Sequence, residues 1–345
     1  MKITYGIVAA ALISVSLTMP AAAESTKPKS VPSLSDIRPN IESPAGRSFF
    51  DEEMNGATRQ DGFGTVLPSG VTAEDVVHLM LPEANASLAT LVGMKRWPYR
   101  KDIYVAFVCI APSQLIKDRV IKGNNGHPFC SPQETETVPD PDKPGRRKAK
   151  GDHLMAIGML RFDAQEHLSL ASTVISWSGI NAGPLSASWE HSNLAGPPGD
   201  VPDSMEDEKN KGDERDYPGE FYRLDFANYA ITNDNTAFGF RSGINIGYSG
   251  GGANYQILTL FAVIDGNLRV IFSEPIYYFQ NIAGNWNEDG TRNHDIYEGE
   301  NTVSVLKSAT DGYFKLLVKS KKERYRKIFH WDPNTKKYVP SGKAG

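Results

Sequence analysis

The stretch YQILTLFAVI at residues 255–264, followed by DGN at 265–267 and LRVIF at 268–272, decides the fold. Two apolar runs rich in β-branched and aromatic residues flank Asp265-Gly266-Asn267. An Asp-Gly pair between such runs is a strong signal of a β-hairpin turn. The run from 257 to 264 is almost entirely apolar, which is typical of a buried strand. The sequence therefore predicts an antiparallel hairpin as the centre of a β unit.

The same pattern continues on both sides of this hairpin. Asp311-Gly312 and Asp332-Pro333-Asn334 mark further turns. Strands are predicted at 221–229, 237–246, 255–264, 268–272, 302–307, 313–319 and 327–331. Regular helices do not alternate with them, so we expect a mainly β protein. Its antiparallel sheets would form a sandwich, a barrel or a propeller-like arrangement, with one or a few short helices.

The beginning of the chain has the features of a secretory signal peptide over residues 1–23. Lys2 precedes an uncharged apolar stretch at 6–19, and Ala21-Ala22-Ala23 offers a small-residue cleavage site. We expect cleavage near Ala23 and a mature chain that is periplasmic or secreted, in the manner of a bacterial exported protein. No later apolar run reaches spanning length, so no transmembrane segment is predicted in the mature chain.

Composition divides the remainder into four parts. Residues 24–60 are polar and rich in Pro and Ser, which predicts an extended or disordered leader. Residues 61–194 form an N-terminal α+β region, whose helix signal is a capping box at Thr72-Ala73-Glu74-Asp75. Residues 195–220 are acidic and rich in Pro and Gly, as expected of a linker or loop. Residues 221–345 form the C-terminal antiparallel β domain.

Charge and cysteine content limit the classes of partner and compartment. The formal net charge of −4 argues against bulk binding to nucleic acid or to an anionic membrane. The two cysteines, Cys109 and Cys130, are predicted to form one disulfide, since an even pair in an exported chain is usually oxidised.

Gly247-Tyr248-Ser249-Gly250-Gly251 matches G-x-S-x-G and resembles the nucleophile elbow of α/β-hydrolases. The resemblance implies Ser249 as a nucleophile, because the glycines of that family permit a strained strand-to-helix turn that exposes the hydroxyl. A triad would need Asp289 or Asp295 together with His294 or His330. Residues 255–261 read as another strand where the elbow requires a helix, and this favours a glycine-rich hairpin loop.

The stretch NWNEDGTRNHD at 285–295 alternates oxygen-bearing side chains ahead of a glycine. It resembles the calcium loops of EF-hands and of FG-GAP-type propeller blades, approximately D-x-[DN]-x-D-G-x-x-D. The resemblance implies a Ca²⁺ site at Asn285, Asn287, Asp289 and Asp295. The first position is Asn rather than Asp, and position twelve is Ile296 rather than Glu, so the implied binding is weak. The alternative is an Asx-rich turn that hydrogen-bonds its own backbone. No other cofactor is predicted.

Basic and aromatic side chains form the last candidate site. Residues 319–327 carry six basic residues in nine. An anionic polymer, a lipid headgroup or an acidic protein would suit them, and the alternative is a solvated turn. The aromatic residues near 277–286 would suit a partner if exposed and the β core if buried. The candidate binding residues are Lys321, Lys322, Arg324, Arg326, Tyr277 and Trp286.

Together these features predict an exported, non-catalytic, β-rich protein that binds a macromolecular partner in the cell envelope or outside the cell. The partner would be another envelope or extracellular protein, as for inhibitor, immunity or envelope-interaction proteins, and not a nucleic acid. Two alternatives stay open. One is a secreted serine hydrolase that uses Ser249, and the other is a calcium-stabilised extracellular module.

Overall fold

The computed structural model describes residues 27–141, 145–180, 183–197 and 216–342. The predicted signal peptide and its cleavage site lie outside these ranges, as does most of the predicted linker at 195–220. Four α-helices are seen in the described ranges: α1 (Ile37–Asn40), α2 (Pro44–Asn55), α3 (Ala73–Met80) and α4 (Gln114–Gly123).

Strands account for most of the regular structure in the described ranges. Before residue 200 they are β1 (Lys29–Val31), β2 (Ala89–Trp97), β3 (Arg100–Ile110), β4 (Glu136–Pro139), β5 (Arg147–Lys150), β6 (Leu154–Phe162), β7 (Leu168–Leu170) and β8 (Ile175–Ser178). After it they are β9 (Glu220–Ala230), β10 (Thr236–Tyr248), β11 (Gly251–Ile264), β12 (Asn267–Trp286), β13 (Arg292–Thr310), β14 (Tyr313–Ser320), β15 (Arg326–Asp332) and β16 (Lys337–Pro340). The prediction of a mainly β fold with antiparallel sheets and short helices is confirmed.

The larger sheet has nine strands in the order β16-β15-β14-β13-β12-β11-β10-β9, with β1 paired to β13. Each strand is antiparallel to the next along the chain. The predicted turn joins β11 to β12 through Asp265 and Gly266, both with positive φ (51° and 78°). Two positive φ values in a two-residue loop give the twist that a tight hairpin needs. The first half of β13 pairs with β12, and its second half pairs with β14.

The smaller sheet, β2-β3-β6-β7 with β8 beside β6, packs face to face against the larger one. Phe107 of β3 contacts Phe221 and Phe240 of the larger sheet, with ring centroids 5.4 and 5.0 Å apart. Helix α3 covers the outer face of the smaller sheet with Val76 and Val77. The predicted regions 61–194 and 221–345 therefore share one hydrophobic core.

Strand β11 lies at the centre of the molecule and is buried on both faces. Phe261 faces the smaller sheet, whereas Leu258 and Leu260 face a second core. Helices α1 and α2 cover that second core and contribute Ile37, Phe49, Phe50 and others to it. The strand's nearly continuous apolar sequence follows from this double burial.

The prediction of an extended or disordered leader is wrong for residues 29–55. This segment pairs β1 with β13 and then forms α1 and α2 against the larger sheet. Helix α2 has the usual end signals: the Ser43 hydroxyl accepts a hydrogen bond from Gly46 N–H at 2.9 Å, and Gly56 adopts a left-handed conformation (φ 61°) after its last turn. Two buried phenylalanines on one face, Phe49 and Phe50, pack it against the core.

The predicted disulfide between Cys109 and Cys130 is confirmed. It links the end of β3 to the chain after α4, across a sequence separation of 21 residues. In the chain-entropy account, closing a loop of this length stabilises the fold by about 3 kcal/mol. None of the described helices has the length and apolar character needed to span a membrane.

Candidate functional site

A cavity of about 770 Å³ lies where the β10–β11 and β12–β13 hairpins extend beyond the rest of the larger sheet. The hairpins form its floor, and α2 and residues 33–35 form its walls. This volume is in the range of sites that take small molecules or inserted side chains. It is the candidate site because apolar walls and a few polar groups converge there.

Helix α2 supplies the apolar wall. Phe49 and Phe50 are mostly buried, and the Phe49 ring meets Phe279 of β12 edge-on at 5.9 Å. Met54 and Glu53 follow one turn later and reach the rim. Met54 is 49% exposed, so the apolar surface continues from the cavity to the outside.

A half-buried carboxylate fixes the position of α2. Glu298 of β13 accepts hydrogen bonds from the backbone N–H groups of Glu42 (3.0 Å) and Ser43 (2.9 Å) at the start of the helix. It also accepts one from the Tyr277 hydroxyl at 3.0 Å, and the Ser43 hydroxyl donates to Tyr277 at 2.9 Å. A negative group is favourable at a helix N-terminus. Burial, reinforced by Glu298, raises the pKa of Tyr277 well above its ordinary value.

The two aromatic residues predicted to bind a partner, Tyr277 and Trp286, therefore lie in different environments. Tyr277 is only 2% exposed and holds α2 in place, so it is not part of an external surface. Trp286, in contrast, is 71% exposed at the mouth of the cavity. Its ring lies 5.5 Å from the Arg292 guanidinium, whose Nε donates to Gly284 O at 2.8 Å. This cation–π contact and hydrogen bond hold the two side chains together at the rim.

Trp286 belongs to a ring of exposed apolar side chains. Leu34 (44%), Met54 (49%) and Tyr248 (36%) line the same cavity. Single exposed apolar residues are ordinary, but a contiguous group around a concave site is typical of an interaction surface. The sequence pointed only to Trp286 among them.

Strand β12 and strand β13 add two polar groups to the floor. His294 is 5% exposed, and its Nδ1 lies 3.1 Å from Asn281 Oδ1. Burial, together with the nearby Arg292, lowers the pKa of His294, so the ring is neutral at pH 7. The Nδ1–H then donates to Asn281, and Nε2 is the nitrogen that can accept a hydrogen bond from a ligand.

The glycine-rich motif forms a hairpin turn. Tyr248 pairs with Gly251, so Ser249 and Gly250 are the two turn residues and β11 follows directly. A Cβ at Gly251 would lie 2.0 Å from Asn281 O, so glycine is required by the close approach of β12. Within the described ranges Ser249 makes no hydrogen bond to a histidine. The helix that a nucleophile elbow needs is replaced by a strand.

The residues considered for a triad point in different directions. His294 lies in the cavity floor, whereas Asp295 is the next residue of the same strand, and successive side chains face opposite sides. The Asp295 carboxylate accepts a hydrogen bond from Ser30 of β1. His330 lies on β15, where its Nδ1 is 2.9 Å from the Ser341 hydroxyl.

The candidate calcium loop forms the turn between β12 and β13. The Asp289 carboxylate accepts from the backbone N–H of Thr291 at 2.9 Å and from its hydroxyl at 2.6 Å. These bonds lower the pKa of Asp289. The Asn287 amide donates to Pro32 O at 3.0 Å, which ties the turn to the N-terminal segment. Within the described ranges, no group of three or more His, Cys, Asp or Glu side chains is placed to hold a metal ion. Asn285 stands at the end of β12.

The basic run forms the turn between β14 and β15 and the start of β15. Lys321 pairs with Glu300 and Lys322 pairs with Glu42, each at 2.7 Å. Arg324 and Arg326 are exposed. Half of the predicted basic surface is therefore neutralised within the molecule, and it does not adjoin the cavity lining.

A half-buried ion-pair chain stands next to the cavity. Arg59 pairs with Glu52 of α2 and with Glu220 of β9, both at 2.7 Å, and lies over the Tyr222 ring at 5.7 Å. Burial raises the pKa of Glu220, against the opposing effect of Arg59. Asn254 donates to the Tyr222 hydroxyl at 2.7 Å and belongs to the same polar layer. Sequence reasoning missed this cluster because its members are distant along the chain.

Comparison of the chain with protein-family models, with curated proteins and with solved structures finds no match. The class of protein is therefore defined here by the observed fold and by the geometry of the site. The molecule is a layered antiparallel β protein with one disulfide and an aromatic-rimmed cavity at a hairpin end.

Proposed function

We propose that this is a non-catalytic binding protein that acts in the cell envelope or outside the cell. Its partner would be another envelope or extracellular protein that inserts an apolar segment into the cavity between α2 and the two hairpins. The signal-peptide pattern of residues 1–23 and the disulfide support a location outside the cytoplasm.

The exposed apolar rim is the observation that carries this proposal. Trp286, Met54, Leu34 and Tyr248 surround a concave site whose walls are also apolar. Exposure of such a group costs solvation free energy in the free protein, and a partner that covers it recovers that cost. Tryptophan next to a pocket is also the residue type that most often dominates binding energy.

Site-specific photo-cross-linking tests the proposal. The photoreactive amino acid p-benzoylphenylalanine would replace Trp286 in one sample and Tyr99 in the matched control. Tyr99 is an exposed aromatic (45%) in the β2–β3 turn, away from the cavity lining. We expect irradiation of cells that express the protein to give a discrete protein adduct from position 286 alone. Equal adducts from both positions, or none from 286, would contradict the proposal.

Once the partner is identified, Trp286→Ala should weaken binding by at least about 30-fold, as for a central anchor residue worth about 2 kcal/mol. The Tyr99→Ala control should bind like the wild type in the same titration. Both side chains are exposed, so neither change should unfold the protein, and circular dichroism checks this.

A further inference from the structure

Within the part of the chain that the structure describes, no strand covers one edge of β10 at its far end. Its ladder with β11 runs to Tyr248, but its ladder with β9 ends at Gly243 opposite Glu220. Pro218-Gly219 precedes β9, and proline cannot donate the next ladder hydrogen bond. Within the described ranges, residues 244–248 therefore have a strand on one side only. Five residues correspond to about 17 Å of open edge.

The backbone along this edge can form hydrogen bonds with another strand. In an antiparallel sheet, alternate residues direct their N–H and C=O groups toward each neighbour. Half of the groups over 244–248 are used by β11, and the other half face outward. An open row of this kind is complementary to an extended polypeptide.

The edge also lacks the features that protect sheet edges from such pairing. Its sequence, Ile244-Asn245-Ile246-Gly247-Tyr248, contains neither charge nor proline. Other edges of the molecule are handled differently. Strand β16 is four residues long and carries Lys337 and Pro340, and Leu224 of β9 donates its N–H to Gly62 O at 3.0 Å. Charge, proline, short length and coverage are the usual means of blocking an edge.

The open edge adjoins the cavity. Asn245, Ile246, Gly247 and Tyr248 all contribute to its lining. A Cβ at Gly247 would meet no atom within 4 Å, so there is free space above this part of the strand. Side chains of an added strand would alternate, and every second one would lie on the α2 side, where the aromatic wall stands.

We propose that residues 244–248 of β10 accept an extended segment of the partner as an additional antiparallel or parallel strand. This inference rests on the proposed function and states the form of the partner: an uncharged or weakly charged β-forming peptide with apolar residues at every second position. The main-chain hydrogen bonds supply affinity, and the cavity selects the alternate side chains.

The experiment uses a displayed library of random twelve-residue peptides, selected on the purified and oxidised protein. Each backbone nitrogen of a selected peptide is then methylated in turn, which removes one donor without changing the side chains. Strand addition predicts a period of two: methylation of residues that face β10 weakens binding about tenfold or more, and methylation of the residues between them has little effect. Absence of binding peptides, or a methylation profile without this period, would overturn the inference.

Hydrogen exchange provides a second readout on the protein side. Outward-facing amides of 244–248 should exchange rapidly in the free protein and slowly in the complex. Slow exchange in the free protein would mean that the edge is already covered, and would also overturn the inference.

A matched pair of variants completes the test. Gly247→Lys places a charge at the edge, and Gly123→Lys places the same charge on α4, also at a glycine whose Cβ would meet no atom within 4 Å. We expect loss of peptide binding in the first and wild-type binding in the second. If peptide binding requires Trp286 but its methylation profile has no period of two, the strand proposal is contradicted and the cavity proposal is retained. Failure of the cross-link at position 286 would instead remove the cavity proposal.

Discussion

His153 should make the protein less stable as the pH falls from about 6.5 to about 4. The side chain precedes β6 and is fully buried, and neither ring nitrogen has a hydrogen-bond partner in the described part of the chain. Burial lowers its pKa from 6.5 to about 4, although Asp152 and Glu134 act in the opposite direction. The folded state therefore holds a neutral ring at a pH where the unfolded chain binds a proton.

The sign and the size follow from proton linkage. Above pH 6.5 both states are neutral and His153 adds no pH dependence. Between pH 6.5 and 4 the unfolded state binds more protons than the folded state, so the free energy of unfolding falls with falling pH. A shift from 6.5 to about 4 corresponds to a loss of about 3 kcal/mol over that window, and to about 2 kcal/mol at pH 5.

The assay is guanidinium chloride unfolding of the oxidised protein, followed by tryptophan fluorescence at several pH values between 7 and 4.5. His153→Leu removes the titrating group and the unpaired nitrogens, so we expect near-neutral or higher stability at pH 7. The difference in unfolding free energy between variant and wild type should grow by about 2 kcal/mol on going to pH 5. His167→Leu, at an 80% exposed side chain, is the control and should follow the wild type. Parallel pH profiles for wild type and His153→Leu would refute the reasoning.

Two further predictions concern the attachment of the N-terminal segment. Arg59→Met leaves the half-buried Glu220 and Glu52 without their cation, so urea unfolding should show a loss of about 3 kcal/mol, and adding Glu220→Leu to that variant should restore part of it. No loss in Arg59→Met would contradict this account of the ion-pair chain. Glu298→Gln removes the negative charge at the start of α2, so amides of residues 44–55 should exchange at least about fivefold faster in hydrogen-exchange mass spectrometry while those of β6 keep their rate. Unchanged exchange in α2 would show that other contacts hold the helix.

The hairpin signals in the sequence were sufficient to predict much of the strand order and turn positions in the larger sheet. Asp265-Gly266 and Asp311-Gly312 both form two-residue turns in which the Asp and the Gly have positive φ. The sequence pattern predicts a strand at 268–272, but β12 continues to 286 through Pro275. The register shift opposite Gln256 and Ile257 lies next to this proline, and an irregularity of this kind accommodates a residue without a donor.

Helix α2 was missed although its ends are marked by Ser43-Pro44 and by Gly56. Its interior is mostly polar and buries only Gly46, Phe49 and Phe50. A short apolar face of this size predicts a helix weakly, because docking on the sheet supplies most of its stability. The composition of 24–60 therefore resembled that of a disordered segment.

The cavity was beyond sequence reasoning for a different reason. Its walls come from residues 33–54, its floor from 245–252 and from 279–294, and no local pattern relates these segments. The sequence marks Trp286 as a candidate binding residue, whereas Tyr248 and His294 occur only in motifs that suggest other chemistry. Their shared role emerges from the three-dimensional arrangement of two hairpins and one helix.

The pairing of β1 with β13 has a consequence for how the chain reaches its final state. Ser30 and Asp295 are 265 residues apart in sequence, and this contact joins the first described strand to β13 of the larger sheet. Synthesis begins at the N-terminus, so residues 29–55 must wait for β12 and β13 before they can dock. During that interval Phe49 and Phe50 are exposed to water and to other chains. Contacts of such long range slow folding. Because Glu298 accepts the hydrogen bonds at the start of α2, we expect the emerging protein to be most prone to aggregation just before residue 298 is available.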